Sequence, residues 1–170
     1  MRPLVEAARQ GDRVAFDELY RRYRRLVHGI LLSRVPPVDA EDLLQDVFLR
    51  AWRQMHALRE AAAFGGWLAA MARHRAVDHL RARPAGEPLG DVGHPASADD
   101  DLRAAQALSA IRALPEAYRE PLLLRLVEGM TGPEIAEQTG MTPGSVRVNL
   151  CRGMKLLRAR LDGREESQDV

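Results

Sequence analysis

Between Pro84 and Ala98 the chain carries three prolines (Pro84, Pro88, Pro95) and three glycines (Gly86, Gly90, Gly93). No long helix crosses such a stretch, because proline lacks an amide hydrogen and clashes with the preceding turn. No alternating apolar run offers a strand instead. The stretch therefore divides the chain into two blocks. With 170 residues in all, each block is a small domain rather than a large one. The expected layout is a first domain over 1–83, a flexible connector over 84–101, a second domain over 102–162 and a tail over 163–170. Both domains are expected to be all-α.

The first block repeats apolar residues at helical spacing. Phe16, Leu19, Tyr20, Tyr23, Leu26, Val27, Ile30 and Leu31 form one stripe, which predicts a helix over about 13–34 capped by Asp12. Pro36-Pro37 ends it. Asp39 then caps a second helix over about 40–54, with Leu43, Leu44, Val47, Phe48, Ala51 and Trp52 inward. A third helix over about 64–82 turns Phe64, Trp67, Leu68, Met71 and Leu80 inward. Residues 55–63 form a loop or short turn between them, and residues 3–10 add a short helix.

The second block opens with the stripe Leu102, Ala105, Leu108, Ile111 and Leu114. A helix from Pro115 to about Glu128 follows, bent or restarted at Pro121 and stopped by Gly129. Residues 131–150 have helix-turn-helix spacing. Small Ala136 lets two helices cross closely. Gly140, four residues on, permits a positive φ in the turn, and Val146 packs back. Thr142 and Pro143 start a second helix over about 143–161. Val146, Leu150, Leu157 and Leu161 share its inner face. Arg147, Arg152, Lys155 and Arg158 face outward, and no acid occurs between 143 and 161. Such a helix fits a DNA major groove, although a solvated hairpin would show the same face.

Charge follows the same division. Residues 1–83 hold 15 basic and 10 acidic side chains, residues 84–101 hold five acids and no base, and residues 102–170 hold 10 basic and 9 acidic. Asp39, Glu41, Asp42 and Asp46 gather on the second helix. Helix N-termini favour acids, which accounts for the first three but not Asp46; a docking face for a basic partner accounts for all. The third helix ends in Arg73-His74-Arg75 and Arg81, near Phe48, Trp52, Phe64 and Trp67. Cations beside aromatics suit single-stranded nucleic acid, while the helical spacing of Phe48, Trp52 and Trp67 equally marks a core face. A single cysteine, Cys151, excludes an internal disulfide and points to a reducing compartment. An early acid, Glu6, argues against a signal peptide, and no run approaches the ~18 apolar residues that span a bilayer. His74 and Asp78 share a metal-compatible i,i+4 spacing, but three ligands with an open position are not evident.

In order along the chain, these segments resemble the extracytoplasmic-function sigma factors, the minimal two-domain initiation factors of bacterial RNA polymerase. The resemblance is carried by Gly11-Asp12, Ala15-Phe16 and Leu19-Tyr20, by Ala40-Glu41-Asp42-Leu43-Leu44-Gln45-Asp46-Val47-Phe48, and by Trp67-Leu68 with Arg73 to Asp78. In the second block it is carried by Leu114-Pro115, Arg119-Glu120, Glu128-Gly129, Glu134-Ile135-Ala136 and Gly144-Ser145-Val146-Arg147. It implies that Asp39, Glu41, Asp42, Gln45 and Asp46 bind core polymerase at the β′ clamp coiled coil. It also implies that the 55–63 loop and Phe64 hold an unstacked base of the −10 element, with Arg73, His74, Arg75 and Arg81 along the strand. Ser145, Arg147, Val148, Asn149, Cys151, Arg152 and Lys155 would meet the −35 element, and the outer face of the helix-turn-helix the β flap. The connector would thread toward the RNA exit path.

A cytoplasmic protein with no cofactor, metal, small-molecule substrate or membrane insertion is implied, as is an anti-sigma partner. The family commonly has Asn where this chain has His74, and other residues at Val148, Asn149 and Cys151. Two other readings remain: a stand-alone helix-turn-helix regulator that binds duplex DNA without polymerase, and an enzyme using His74, Asp78 and His79 with Asp42 and Asp46 as acids. Oxidation sensing at Cys151 is a further possibility, against a plain small residue on the groove side.

Overall fold

The computed structural model describes residues 1–82 and 98–165, and the described residues are helices and short connections with no strand. The first domain comprises α1 (Arg2–Arg9), α2 (Arg13–Leu32), α3 (Pro37–Gln54) and α4 (Phe64–Ala82), with 3-10 turns at Met55–Ala57 and Ala61–Ala63. The second comprises α5 (Ala98–Arg112), α6 (Glu116–Leu126), α7 (Gly132–Thr139) and α8 (Pro143–Glu165).

Helix α2 is the axis of the first domain, and α1, α3 and α4 all pack on it. Its stripe buries Leu19, Leu26, Val27, Ile30 and Leu31 completely, against Leu44 of α3 and Phe64 and Leu68 of α4. Each such side chain contributes about 1.5–3 kcal/mol on leaving water. Asp12 caps α2 as its position suggests, its carboxylate accepting from the amides of Val14 (2.9 Å) and Ala15 (3.1 Å). Asp12→Ala should therefore lower stability by about 1 kcal/mol. A urea midpoint that stays in place would assign the start of α2 to packing alone.

Several boundaries differ from the sequence expectation. Helix α3 begins at Pro37, with Pro36 at its N-cap and no side-chain cap, so Asp39 sits in the first turn instead of capping. Helix α2 has already ended at Leu32, so the second proline of the pair does not stop it but supplies a preset φ for the first position of α3. Leu80 is exposed, not inward: the last turn of α4 meets α3 through His79, beside Asp39, and Leu80 lies outside that contact. Helix α6 runs through Pro121 as a single element. Helix α5 starts at Ala98, within the expected connector, and α8 continues to Glu165, past the expected end of the domain. The rest of the connector, 83–97, and the last residues, 166–170, lie outside the described residues. No helix among the described residues is long and apolar enough to cross a membrane.

Helix α6 explains how the two domains meet. Leu122, Leu123 and Leu124 are consecutive and all fully buried, which no single stripe of a helix allows. Two sides of α6 are covered. On one, Leu122 packs on Gly153 of α8, where an added Cβ would lie 2.9 Å from Leu122 Cδ1. On the other, Leu124 packs on Gly29 of α2, where an added Cβ would lie 2.6 Å from Leu124 Cδ2. Glycine at both positions permits the close approach.

Candidate nucleic-acid and polymerase interface

The helix-turn-helix is built from local caps. Thr131 and Glu134 close a reciprocal capping box at α7: the Thr131 amide donates to Glu134 Oε2 (2.7 Å), and Thr131 Oγ1 accepts from the Glu134 amide (3.4 Å). The Thr131 backbone amide, then its hydroxyl, hold the Glu134 carboxyl below its usual range. The box is thus intact at neutral pH and weakens as pH falls through that depressed value. Helix α7 ends at Gly140 in the left-handed region (φ 77°), and Thr139 Oγ1 accepts from the Met141 amide (3.2 Å). Thr142 Oγ1 then accepts from the Ser145 amide (3.2 Å) and starts α8. Val146 is 1% exposed and locks α8 onto α7. With that face fixed, Ser145, Arg147, Val148, Cys151, Arg152 and Lys155 are exposed on the other, and Asn149 is half-buried.

On α3 the acidic residues share the outer face. Glu41 accepts from Arg24 Nη2 (2.7 Å), Asp46 from Arg75 Nη2 (2.7 Å), and Asp39 Oδ2 lies 3.1 Å from His79 Nε2. Asp42 and Gln45 are exposed beside them. Gln45 and Asp46 border an open groove of about 570 Å³ between α2 and α3, floored by Phe16, Tyr20, Phe48 and Trp52. These rings stack edge to face, with Phe16–Trp52 centroids 4.9 Å apart and Tyr20–Phe48 4.6 Å. Exposed Leu49 stands at the rim.

On α4, His74 and Arg81 are exposed, and Arg73 and Arg75 are half-buried. Phe64 is fully buried, its ring 5.0 Å from that of Tyr23 and 5.9 Å from that of Trp67. It offers no surface to a nucleic-acid strand and instead floors the loop from inside; helical spacing marks it as core as readily as site. The loop borders a cavity of about 650 Å³ lined by Leu58, Arg59, Glu60 and Trp67.

Comparison with known proteins matches two parts of the chain. Residues 19–84 match sigma-70 region 2, and residues 104–157 match sigma-70 region 4. The ECF RNA polymerase sigma-E factor of Haemophilus influenzae is 32% identical over 91% of this chain and 91% of its own. The chain belongs to the ECF family of RNA polymerase sigma factors. The sigma-E factor of Escherichia coli is 28% identical over 91% of this sigma factor and 90% of its own length. The solved structure of CnrH, in complex with the cytosolic domain of CnrY, superposes with a TM-score of 0.67 at 26% identity, over 95% of this chain and 97% of that one. Bartonella quintana RpoE, solved with the anti-sigma factor NepR, shares the fold with a TM-score of 0.61 at 22% identity, over 86% of this chain and 95% of that one.

In this sigma factor the two regions face each other directly, which brings in residues that sequence reasoning missed. Glu120 of α6, 7% exposed, accepts from Arg73 Nε (3.0 Å) and Nη2 (2.6 Å). That hydrogen-bonded pair raises the Arg73 pKa above its ordinary value. Arg34 at the end of α2 reaches Glu116 (2.8 Å) and approaches Glu120 (3.7 Å). Arg112 of α5 donates to the carbonyls of Leu32 (2.9 Å) and Val35. Glu128 Oε1 lies 2.5 Å from His28 Nδ1, and the Glu128 carbonyl accepts from Arg25. The available signal is an acid, Glu120, separated only by Pro121 from the Leu122-Leu123-Leu124 run.

Proposed function

We propose that this sigma factor divides promoter-directed initiation between its domains. The first, residues 1–83, binds core polymerase through Asp39, Glu41, Asp42, Gln45 and Asp46 on the β′ clamp, and follows the −10 strand with Arg73, His74, Arg75 and Arg81. The second, residues 102–162, reads the −35 duplex with Ser145, Arg147, Val148, Asn149, Cys151, Arg152 and Lys155, and presents its outer surface to the β flap. Bond making stays with the polymerase; the sigma factor positions and needs no cofactor. It works in the cytoplasm, where polymerase and promoter are, under the control of an anti-sigma protein. Support for that partner comes from the shared fold with RpoE, which was solved with an anti-sigma factor.

The observation that carries this reading is the clean separation of faces on α8. Val146 and Leu157 are buried while Arg147, Arg152 and Lys155 are open to solvent, without an acid among them. A free-standing regulator would leave the acidic face of α3 without a task. In transcription reconstituted with core polymerase and a promoter library, the wild-type protein should give selective start sites. Arg147→Ala and Arg152→Ala should each reduce discrimination at particular −35 positions by ~1–3 kcal/mol. A loss that is uniform over all sequences, with a shallower salt dependence, would assign them to phosphates.

A further inference from the structure

Two aliphatic residues of α8 have opposite fates. Leu157 is buried against the rest of its domain, while Val148, about two and a half turns earlier, points the other way and is 41% exposed. Val148 therefore stands at the middle of the outer face, as far from the domain's own core as the helix allows. Cys151, Arg152 and Lys155 follow it on that face at helical spacing, and Arg147 flanks it; all are exposed. A thiol packs as a small apolar group. Val148 and Cys151, three residues apart, thus make a short apolar strip among cations, with no acid between 143 and 161. Asn149 is half-buried and lies outside the strip. One turn before Val148, a Cβ added to Gly144 would meet nothing within 4 Å, so the strip is open from the start of the helix.

We propose that Val148, at the centre of this strip, selects the 5-methyl group of thymine in the major groove, so that the −35 element of this sigma factor contains an A·T pair recognised through that methyl. Charge names duplex DNA as the occupant, because Arg147, Arg152 and Lys155 surround the strip and draw in a polyanionic backbone. Arginine reads guanine by paired hydrogen bonds, but valine has no side-chain donor or acceptor to offer. It discriminates by shape and by removing an apolar group from water, and among the four bases only thymine presents a methyl in the groove. A β-branched side chain holds essentially one rotamer on a helix, so the two valine methyls are already in place before DNA arrives. The inference rests on the −35 role proposed above for α8, and adds which base the uncharged position selects and through which atoms.

The test uses the protein bound to core polymerase. Promoters are first selected from a library by wild-type holoenzyme. Each thymine of the selected −35 element is then replaced in turn by uracil, which keeps every hydrogen-bonding group and lacks only the methyl. Affinity and initiation are compared on thymine and uracil DNA for the wild type, Val148→Ala and the β-branched Val148→Thr. Val148 is exposed, so both variants should fold, which circular dichroism and melting check. At one position uracil should lower wild-type affinity about three- to tenfold, the effect of one buried methyl. Val148→Ala should lose a similar factor on thymine DNA and no longer respond to uracil at that position. Val148→Thr should recover part of the loss.

Selected −35 elements without thymine on either strand, or uracil tolerated at every position, overturn the inference and leave α8 on the −35 element. A Val148→Ala loss that is equal on thymine and uracil DNA also overturns it, and moves Val148 to a protein partner. Holoenzyme that selects no −35 sequence overturns the −35 role itself. Arg147→Ala and Arg152→Ala on the same DNAs separate these cases, because they reduce discrimination whenever α8 reads the duplex, with or without the methyl.

Discussion

Asp42→Lys and Asp46→Lys are expected to abolish capture by core RNA polymerase while leaving the protein folded. Both side chains are exposed on α3, and their neighbours Leu43, Leu44, Val47 and Phe48 carry the packing. The only interaction either acid makes among the described residues is the Asp46–Arg75 pair at 2.7 Å. A half-exposed pair of that kind is worth at most about 1 kcal/mol, so the melting temperature should hardly move. Binding is different. Reversing a charge both removes an attraction and places like charges together in a surface that excludes water on docking. That costs on the order of 2–5 kcal/mol, a loss of about thirtyfold to several thousandfold. The two substitutions should also slow association most at low salt, where steering is strongest. Co-purification with core enzyme, with circular dichroism alongside, reads both halves of the prediction. Retained binding with an unchanged fold would remove α3 from the polymerase contact. Asp42→Lys is the cleaner of the two, because Asp46→Lys also frees Arg75.

Phe64→Ala has the largest expected effect on stability, a loss of about 3–5 kcal/mol. The side chain is fully buried at the first turn of α4. Its removal deletes the edge-to-face contact with Tyr23 and the packing against Trp67, and it leaves a cavity in the core. Small domains are stable by only about 5–15 kcal/mol, so the variant should be partly unfolded at physiological temperature. Urea unfolding measures it directly. If Phe64→Ala instead left stability intact and lost only strand binding, the residue would belong to the nucleic-acid surface that spacing alone allowed it to join. Phe64→Leu, which retains most of the volume, should recover more than half of the loss.

What could be read from the residues, and what could not, divides along one physical line. Features set by neighbours within a few positions were legible. The stripe from Phe16 to Leu31 gave α2, and Asp12, Thr142 and Gly140 took the capping and turning roles their chemistry prescribes. The basic face of α8 followed from a period of 3.6 alone. Features that depend on distant contacts were not legible. Periodicity counts Leu80 as inward, but which side of a helix's last turn is covered is decided by where its neighbours run, and here His79 takes the contact with α3. Asp39 looks like a cap because acids favour helix starts, yet Pro37 can open a helix by itself, and position 39 then falls within the first turn. In the sequence Glu120 stands out only as part of a family pattern. Its partners Arg73 and Arg34 stand 47 and 86 residues away in the chain, and no local rule connects them. Phe64 sat between the two cases, since an aromatic on an inner stripe beside arginines satisfies both readings until burial is known.

Helix α6 serves as a party wall, with Leu122 plastered to one room and Leu124 to the other. When the rooms part, Leu124 and the bare backbone at Gly29 are left wet, and an oily strip faces solvent with no companion. Solubility is therefore tied to closure. A preparation enriched in separated molecules should clump as concentration rises, and whatever takes the freed surface in the transcription complex must cover that strip as well as grip the charges around it.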